Sequence, residues 1–434
     1  PRAAGTDMTG GPLGESIVLD FLPHFNWLGP IGDDGTITCA PGVYYRDFEK
    51  VTLTKDYIFP SYPASRELCA IGGIVNNNSG GERSLVYGKS ENYVSQLKVV
   101  LADAKEYVFE KLTKDRLDTK MRQIDFEGGI YRAVFGLLES NYKLVRGAKP
   151  NVSKNSVGYN VWDVWDREKG EFDLTKLFVG SQGTLGITTE ATFKLVKTKK
   201  FSHMTVVFLK DLSGLPDLIT EVLKYQPTSL ESFDDHTLKL SVRFLPGLLK
   251  LMGFKSLLSL LLSFIPDIFE VMRIGIPKLV LLVEFEGDDE EELLQKSRDL
   301  CAKVKLMGFD SRITRDAADE KKYWTFRRES FNLLRHKVMG KQTAPYIDDL
   351  IVKPEYLNEF LPKLYNILDK YKLLYTIAGH VGDGNFHIIP LMDLRDEVER
   401  AKILPSMKEV YGLVFQYHGS ISAEHNDGLL RGPY

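Results

Sequence analysis

Three glycine-rich segments, each beside a run of β-forming residues, constrain this chain more than any other feature. The first is Arg2-Ala3-Ala4-Gly5-Thr6, continuing to Thr9-Gly10-Gly11. The second runs Ile71-Gly72-Gly73-Ile74-Val75-Asn76-Asn77-Asn78-Ser79-Gly80-Gly81 and leads to Tyr87-Gly88. The third is Gly180-Ser181-Gln182-Gly183-Thr184-Leu185-Gly186-Ile187. Small residues let successive backbone N–H groups point into one concavity, which holds a pyrophosphate without a lysine. The hydroxyls of Thr6, Ser79, Ser181 and Thr184 add donors. Taken singly, each segment is weak evidence, because Gly/Ser/Asn clusters are usually plain turns. Their succession along β runs argues for a dinucleotide site. No GxGxxG follows a strand and no GxxxxGK[ST] occurs, which disfavours nicotinamide-type Rossmann binding and P-loop hydrolysis.

The chain has 434 residues, enough for two large α/β domains, and 43% of them are apolar. Its net charge of −3 argues against a nucleic-acid partner, which calls for a basic excess or stripe. Cys39, Cys69 and Cys301 form no CxxC pair, so a disulfide framework and a cysteine-held iron–sulfur site are both disfavoured within this stretch. No secretory or transit signal precedes Pro1, which makes a cytoplasmic location the default expectation. The longest apolar neighbourhood runs from Phe244 to Met272. Its uncharged part, Ser256–Pro266, is far shorter than the roughly 20 residues a spanning helix needs. A buried helix is the first reading of this segment, and an interfacial helix giving peripheral contact at the inner face of a membrane is the second.

Residues 16–21, 36–43, 98–103 and 105–112 read as strands or strand starts, and Leu117–Arg146 as a helical insertion. The basic run Lys197–Lys200 marks a seam. Beyond it, 203–209 and 278–287 read as strands. Asp288–Glu292 reads as the solvated first turn of a helix, where acids favour the macrodipole.

The chemistry-bearing residues concentrate late in the chain. In Gly379-His380-Val381-Gly382-Asp383-Gly384-Asn385-Phe386-His387, the Asp-Gly pair predicts a two-residue hairpin turn. That register would place His380 directly across from His387, Val381 across from Phe386 and Gly382 across from Asn385. Two imidazoles so placed are either a hydrogen-bonded structural pair or the start of a metal site. Glu424 offers a third ligand, and two His plus one carboxylate leaves coordination positions open. The adjacent His425 is a candidate general base.

Taken together, PRAAGTDMTGG, IGGIVNNNSGG…YG, KNSVGYNV…LFVGSQGTLGI, the GH-G-DGN-H segment and the late Glu-His resemble the FAD-linked oxidase family. This is the vanillyl-alcohol-oxidase superfamily, in the branch of D-lactate and D-2-hydroxyglutarate dehydrogenases and glycolate oxidase flavin subunits. The resemblance implies an α+β protein: a two-part PCMH-type FAD-binding domain over 1–198, then a substrate (cap) domain with an antiparallel sheet over 199–434. It implies non-covalent FAD held by Arg2, Ala3, Ala4, Gly5, Thr6, Gly10, Gly11, Ile71, Gly72, Gly73, Asn77, Ser79, Gly80, Tyr87, Gly88, Gly183, Thr184, Gly186 and Ile187. Cys69 is expected to be a packed thiol. The same resemblance assigns a divalent metal, zinc first, to His380, His387 and Glu424, with His425 as base. Relatives carry a Trp followed three residues later by a substrate-binding Arg, which maps onto Trp324 and Arg327; an Arg fork suits a carboxylate. Relatives specific for the longer diacid place a Thr four residues beyond that Arg, whereas this chain has Phe331, which favours a smaller 2-hydroxy acid. The family usually shows Glu-His-Gly, and Asn426 stands in place of that glycine here.

The implied activity is a dehydrogenase of the D-lactate or glycolate type, passing electrons to a quinone, a cytochrome, an electron-transfer flavoprotein or an iron–sulfur module. A zinc hydrolase using the same His/His/Glu set and a catalytically inactive flavoprotein subunit are the alternatives. Family members carry strand and helix before the first loop and continue past the Glu-His segment, so the sequence reads as a fragment cut at both ends.

Overall fold

The computed structural model describes residues 1–235, 275–324, 327 and 340–434. The apolar segment Phe244–Met272 falls outside them, as do Phe331, His236 and His336. Among the described residues no helix is long and apolar enough to cross a membrane. The chain forms two compact units: Pro1–Thr198 together with Ser422–Tyr434, and Lys199–Ile421.

The first unit carries strands β1 (Leu28–Ile31), β2 (Thr36–Cys39), β3 (Tyr57–Ile58), β4 (Val94–Val100), β5 (Glu106–Thr113), β6 (Trp165–Asp166), β7 (Glu171–Asp173), β8 (Ile187–Lys194) and β9 (Val196–Lys197). Seven of them form one sheet in the order β1-β2-β8-β4-β5-β7-β6, and β3 pairs with β9. The pairings are antiparallel, so alternate residues face the core. Leu97 and Val99 on β4 and Ala191 and Phe193 on β8 are buried on that face. Phe193 meets Phe59 edge-on with ring centres 5.1 Å apart and Phe48 at 5.8 Å.

The expected helical insertion is present as three helices, Lys114–Arg122, Phe126–Ser140 and Tyr142–Gly147. The Asp125 side chain caps the second by accepting from Gly128 N at 2.8 Å. Their buried face, Leu117, Tyr131 and Leu138, joins Phe109 and Phe172 of the sheet. One expected strand does not form. In residues 16–21 only Asp20 pairs, as an isolated parallel bridge to Arg2, and Ile17 is 90% exposed. Without a paired strand beside them, Ile17, Val18 and Leu19 stay exposed, while Phe21 turns in and is buried.

Ser422–Tyr434 pack within the first unit. Backbone groups hold them there: Ser156 N donates to Ser422 O (3.0 Å) and Leu429 N to Thr9 O (3.0 Å). Gly158 N donates to the Asp427 carboxylate at 2.8 Å.

The second unit carries β10 (Phe201–Leu209), β11 (Ser229–Asp234), β12 (Leu279–Gly287), β13 (Asp310–Ile313), β14 (Gln342–Thr343), β15 (Leu350–Ile351), β16 (Leu374–His380) and β17 (Asn385–Met392). They form one antiparallel sheet, β13-β10-β12-β11-β16-β17-β14, with β15 also on β17. Strands β11 and β12 are buried along nearly their whole length, which explains the unbroken apolar run of β12. The acidic run after β12 does begin a helix, Glu290–Leu306, with Asp289 accepting from Glu291 N and Glu292 N.

One buried charge network anchors the segment that leads to Arg327. Asp319, 2% exposed, accepts from Arg312 of β13 at 2.8 Å and from Lys322 at 2.8 Å. Burial alone would raise the Asp319 carboxyl, but the Arg312 and Lys322 hydrogen bonds outweigh it and hold the group well below the usual carboxylate range. The stability it contributes is therefore complete above an ordinary carboxyl value of about 3.9 and is lost as pH falls toward its lower folded value. Asp319→Asn should remove that acid limb from a plot of unfolding free energy against pH. An unchanged acid limb would show that another group carries it.

Candidate active site

In the first unit the three glycine-rich segments converge, together with the late segment. Gly180 N donates to Val75 O (3.0 Å) and Gln182 N to Asn76 O (2.8 Å), which ties the third segment to the second. Asn426 Nδ2 donates to Gly180 O at 2.8 Å while its Oδ1 accepts from Gln182 Nε2 at 2.5 Å. Gly428 N then donates to Gln182 Oε1 at 3.0 Å. In the first segment, the Asp7 carboxylate accepts from Thr9 N (3.0 Å) and Gly11 N (2.8 Å), closing a tight turn of its own.

The second segment departs from its reading as a loop, since Ile71–Asn77 is a short helix ended by Asn78 at φ +50. The helix crosses closely over the chain at Pro41: a Cβ on Gly72 would stand 2.6 Å from Pro41 Cβ. A Cβ on Gly73 would meet only Ala3 Cβ, at 4.0 Å, and one on Gly158 would meet nothing within 4 Å. Open space over small residues, bounded by turns rich in N–H donors, fits a dinucleotide. Ala3, Gly73, Asn77, Gly183 and Thr184 belong to this convergence. Gly186 does not need a ligand to explain it, because a Cβ there would stand 2.5 Å from Val99 Cγ1. Cys69 is buried, and burial pushes its thiol up to about 12, as befits a packed thiol.

Glu424 and His425 belong to this unit. Glu424 is 5% exposed, and its Oε2 accepts from the buried Lys154 Nζ at 3.1 Å. Lys89 Nζ donates to Ser156 Oγ at 2.7 Å and to Ala423 O at 3.3 Å, fixing the backbone just before Glu424. Asn77 Nδ2 donates to Glu424 O at 2.9 Å. Asn426 adopts φ +72, the left-handed conformation in which asparagine is the best substitute for glycine. The residue that stands at the usual family glycine is thus one of the few non-glycine types that tolerate this conformation.

In the second unit the histidine pair forms, but through a different turn. His380 lies across from Asn385, and His387 across from Ala378. Val381–Asp383 make a short 3₁₀ turn and Gly384 follows at φ +74, so four residues close the hairpin. The register shifts by two, which preserves the face on which each side chain projects. The two imidazoles consequently stay neighbours on the diagonal, with ring centres 5.2 Å apart and planes perpendicular.

Around them lie residues that the sequence pattern did not single out. Glu231 of β11, 1% exposed, has Oε1 at 2.5 Å from His380 Nδ1 and Oε2 at 3.1 Å from Arg327 Nε. His387 Nδ1 lies 3.3 Å from the buried Asp348 carboxylate and 4.0 Å from that of Asp349. Asn385 Nδ2 donates to Asp349 Oδ1 at 3.1 Å. Imidazoles beside carboxylates form an N/O donor set that suits zinc and other first-row divalent ions. SLESFD carries two acids and no motif, so only the structure shows Glu231 in the centre of a strand buried at every position.

Comparison with known proteins finds two family matches, one on each side of the seam near Thr198. Residues 198–434 match the family of FAD linked oxidases, C-terminal domain, and residues 1–109 match an FAD binding domain. Among curated proteins, D-2-hydroxyglutarate dehydrogenase of Escherichia coli K12 is 25% identical over 99% of this chain, which spans only 42% of that protein. Glycolate oxidase subunit GlcD of Bacillus subtilis 168 is 27% identical over 100% of this chain and 76% of its own. D-lactate dehydrogenase of Archaeoglobus fulgidus is 24% identical over 99% of this chain and 77% of its own. Among solved structures, an alkyldihydroxyacetonephosphate synthase aligns with TM-score 0.64 at 14% identity, covering 97% of this chain and 67% of the other. The 4-ethylphenol oxidase of Gulosibacter chungangensis aligns with TM-score 0.61, also at 14% identity, covering 94% and 72%. These two likenesses carry the fold alone, a PCMH-type flavin-binding α+β architecture.

Proposed function

Because the chain belongs to the family of FAD-linked oxidases, we propose that it oxidises a small 2-hydroxy acid of the D-lactate or glycolate type to the 2-oxo acid. The observation that carries this reading is the convergence of Arg327 and His380 on the buried Glu231. A guanidinium for a carboxylate and an imidazole for a metal are thereby held a few ångströms apart. Bound FAD would supply two-electron acceptance, and a divalent ion would supply Lewis acidity at the substrate hydroxyl. His380 and His387 would hold that ion, zinc first, with Glu424 as the third ligand of the family pattern.

The remaining steps belong to the protein's own side chains. Arg327 binds the substrate carboxylate, and Glu231 fixes the plane of the guanidinium through Nε. His425 takes the hydroxyl proton as the α-carbon gives up its hydrogen with two electrons. The electrons then leave for an acceptor of the quinone, cytochrome, flavoprotein or iron–sulfur class.

The test is a panel of D- and L-2-hydroxy acids with an artificial dye acceptor, run with and without chelator. Lactate or glycolate should reduce the dye, 2-hydroxyglutarate should do so poorly, and chelation should abolish turnover until zinc is returned. A purified protein that lacks yellow absorbance and reduces no dye would sink the proposal in favour of a hydrolase on the same ligands. A yellow protein inert to every acid would point to a non-catalytic flavoprotein subunit.

A further inference from the structure

We infer that Glu231 is a positioning residue whose two oxygens set the tautomer of His380 and the orientation of Arg327 together. The inference rests on the proposed metal role of His380 and adds a residue and a function to it. The backbone already brings the two groups together. Strands β11 and β16 are antiparallel with Ser232 opposite Gly379 and Phe233 opposite Ala378. Continuing that register by one residue carries Glu231 across from His380, where side chains of facing residues share a face. The side chains then divide the carboxylate, Oε1 to His380 Nδ1 at 2.5 Å and Oε2 to Arg327 Nε at 3.1 Å.

The donor inventory makes the arrangement directional. Arg327 can only donate, and an ionised carboxylate can only accept. The proton between Glu231 and His380 therefore belongs to Nδ1, which leaves the lone pair of the neutral ring on Nε2. An imidazole whose far nitrogen is held by a carboxylate is fixed in tautomer and ring angle and is a stronger metal ligand. The same carboxylate fixes the plane of Arg327. Metal and substrate carboxylate are thus registered against each other by one buried side chain.

Glu231→Gln discriminates this role from mere packing, because shape is kept while one acceptor becomes a donor. The amide must turn its NH₂ either toward Arg327, donor against donor, or toward His380, forcing the proton onto Nε2. We expect zinc affinity, measured on the full chain by competition with a chromophoric chelator, to fall about 10–100-fold. In the metal-free wild-type protein, ¹⁵N chemical shifts should report the Nδ1–H tautomer at His380, and in the variant that population should decrease. Rescue by Glu231→Asp should be partial, since the shorter side chain can reach one partner better than both.

The controls separate the two layers of the claim. If His380→Ala abolishes zinc binding while Glu231→Gln binds like wild type, the positioning role is overturned and the metal site stands. If His380→Ala also binds like wild type, the metal reading itself fails. An Nε2–H tautomer at His380 in the wild-type protein overturns the inference even if the variant does not fold.

Discussion

Gly384→Ala should be among the most damaging single substitutions in the second unit, with an expected loss of about 4–5 kcal/mol of unfolding free energy. Two costs combine at this position. Gly384 holds φ +74, which carries a penalty of roughly 1–2 kcal/mol for a residue with a Cβ. That Cβ would also stand 1.8 Å from Val352 O, a backbone atom that no rotamer change can move aside. Val352 N itself donates to Gly384 O at 3.1 Å, so turn and strand must move together. The displaced strand is β15, which follows Asp348 and Asp349 directly. The damage should therefore spread to the carboxylates near His387 and lower metal affinity in whatever fraction still folds. Urea unfolding of the variant beside Gly412→Ala gives the comparison. Gly412 lies inside the helix Ile403–Gln416 with nothing within 4 Å of an added methyl, so its replacement should stabilise by about 0.5–1 kcal/mol. Equal stability of the two variants would mean that the hairpin does not close through the turn described.

The second large effect is expected at Lys154. Its ammonium and the Glu424 carboxylate are 2% and 6% exposed as side chains, and Lys154→Met withdraws the cation while leaving the acid in place. Breaking a buried pair from one side costs about 3–5 kcal/mol, because the remaining charge keeps its desolvation penalty. Replacing both residues, Lys154→Met with Glu424→Leu, should recover most of that stability, since a well-packed apolar pair can match a buried ion pair. Denaturant titration of the two single variants and the double variant closes the cycle. Additive losses would show that the two groups do not depend on each other. A further arm reads the proposed ligand role: zinc should restore more stability to Lys154→Met, which keeps the Glu424 carboxylate, than to the double variant, which lacks it.

Much of this architecture was legible from residue patterns, and the exceptions have identifiable causes. The acidic run at Asp288 reads as a helix start because a cap and a macrodipole act within one turn, and the structure places Asp289 in that role. Residues 16–21 misled because a run of β-forming residues reports what a strand would favour, not whether a partner strand exists. The hairpin at His380 shows a subtler limit. Asp383-Gly384 marks the turn, but loop length depends on where β15 passes, which is information from elsewhere in the chain. The face of each histidine survived because a shift of two residues preserves the pleat. Glu231 and Lys154 escaped notice for one reason: a buried charge is defined by its partner, and each partner lies far away in sequence. Asn426 is the reverse case, since one departure from a family glycine is explained by its own backbone angle.

The return of Ser422–Tyr434 to the first unit has a consequence for how the chain is made. Topologically, Lys199–Ile421 is an insertion interrupting another fold. The ties from Asn426 to Gly180 and from Leu429 to Thr9 join residues separated by the whole of that insertion. On a ribosome those ties can form only after the intervening unit has emerged. The later-encoded unit is thus free to finish folding while the earlier one waits, with its glycine-rich loops still unfastened. Fastening of those loops is then coupled to the synthesis of Ser422–Tyr434, so that a chain ending before Ser422 would lack the ties to Gly180 and Thr9.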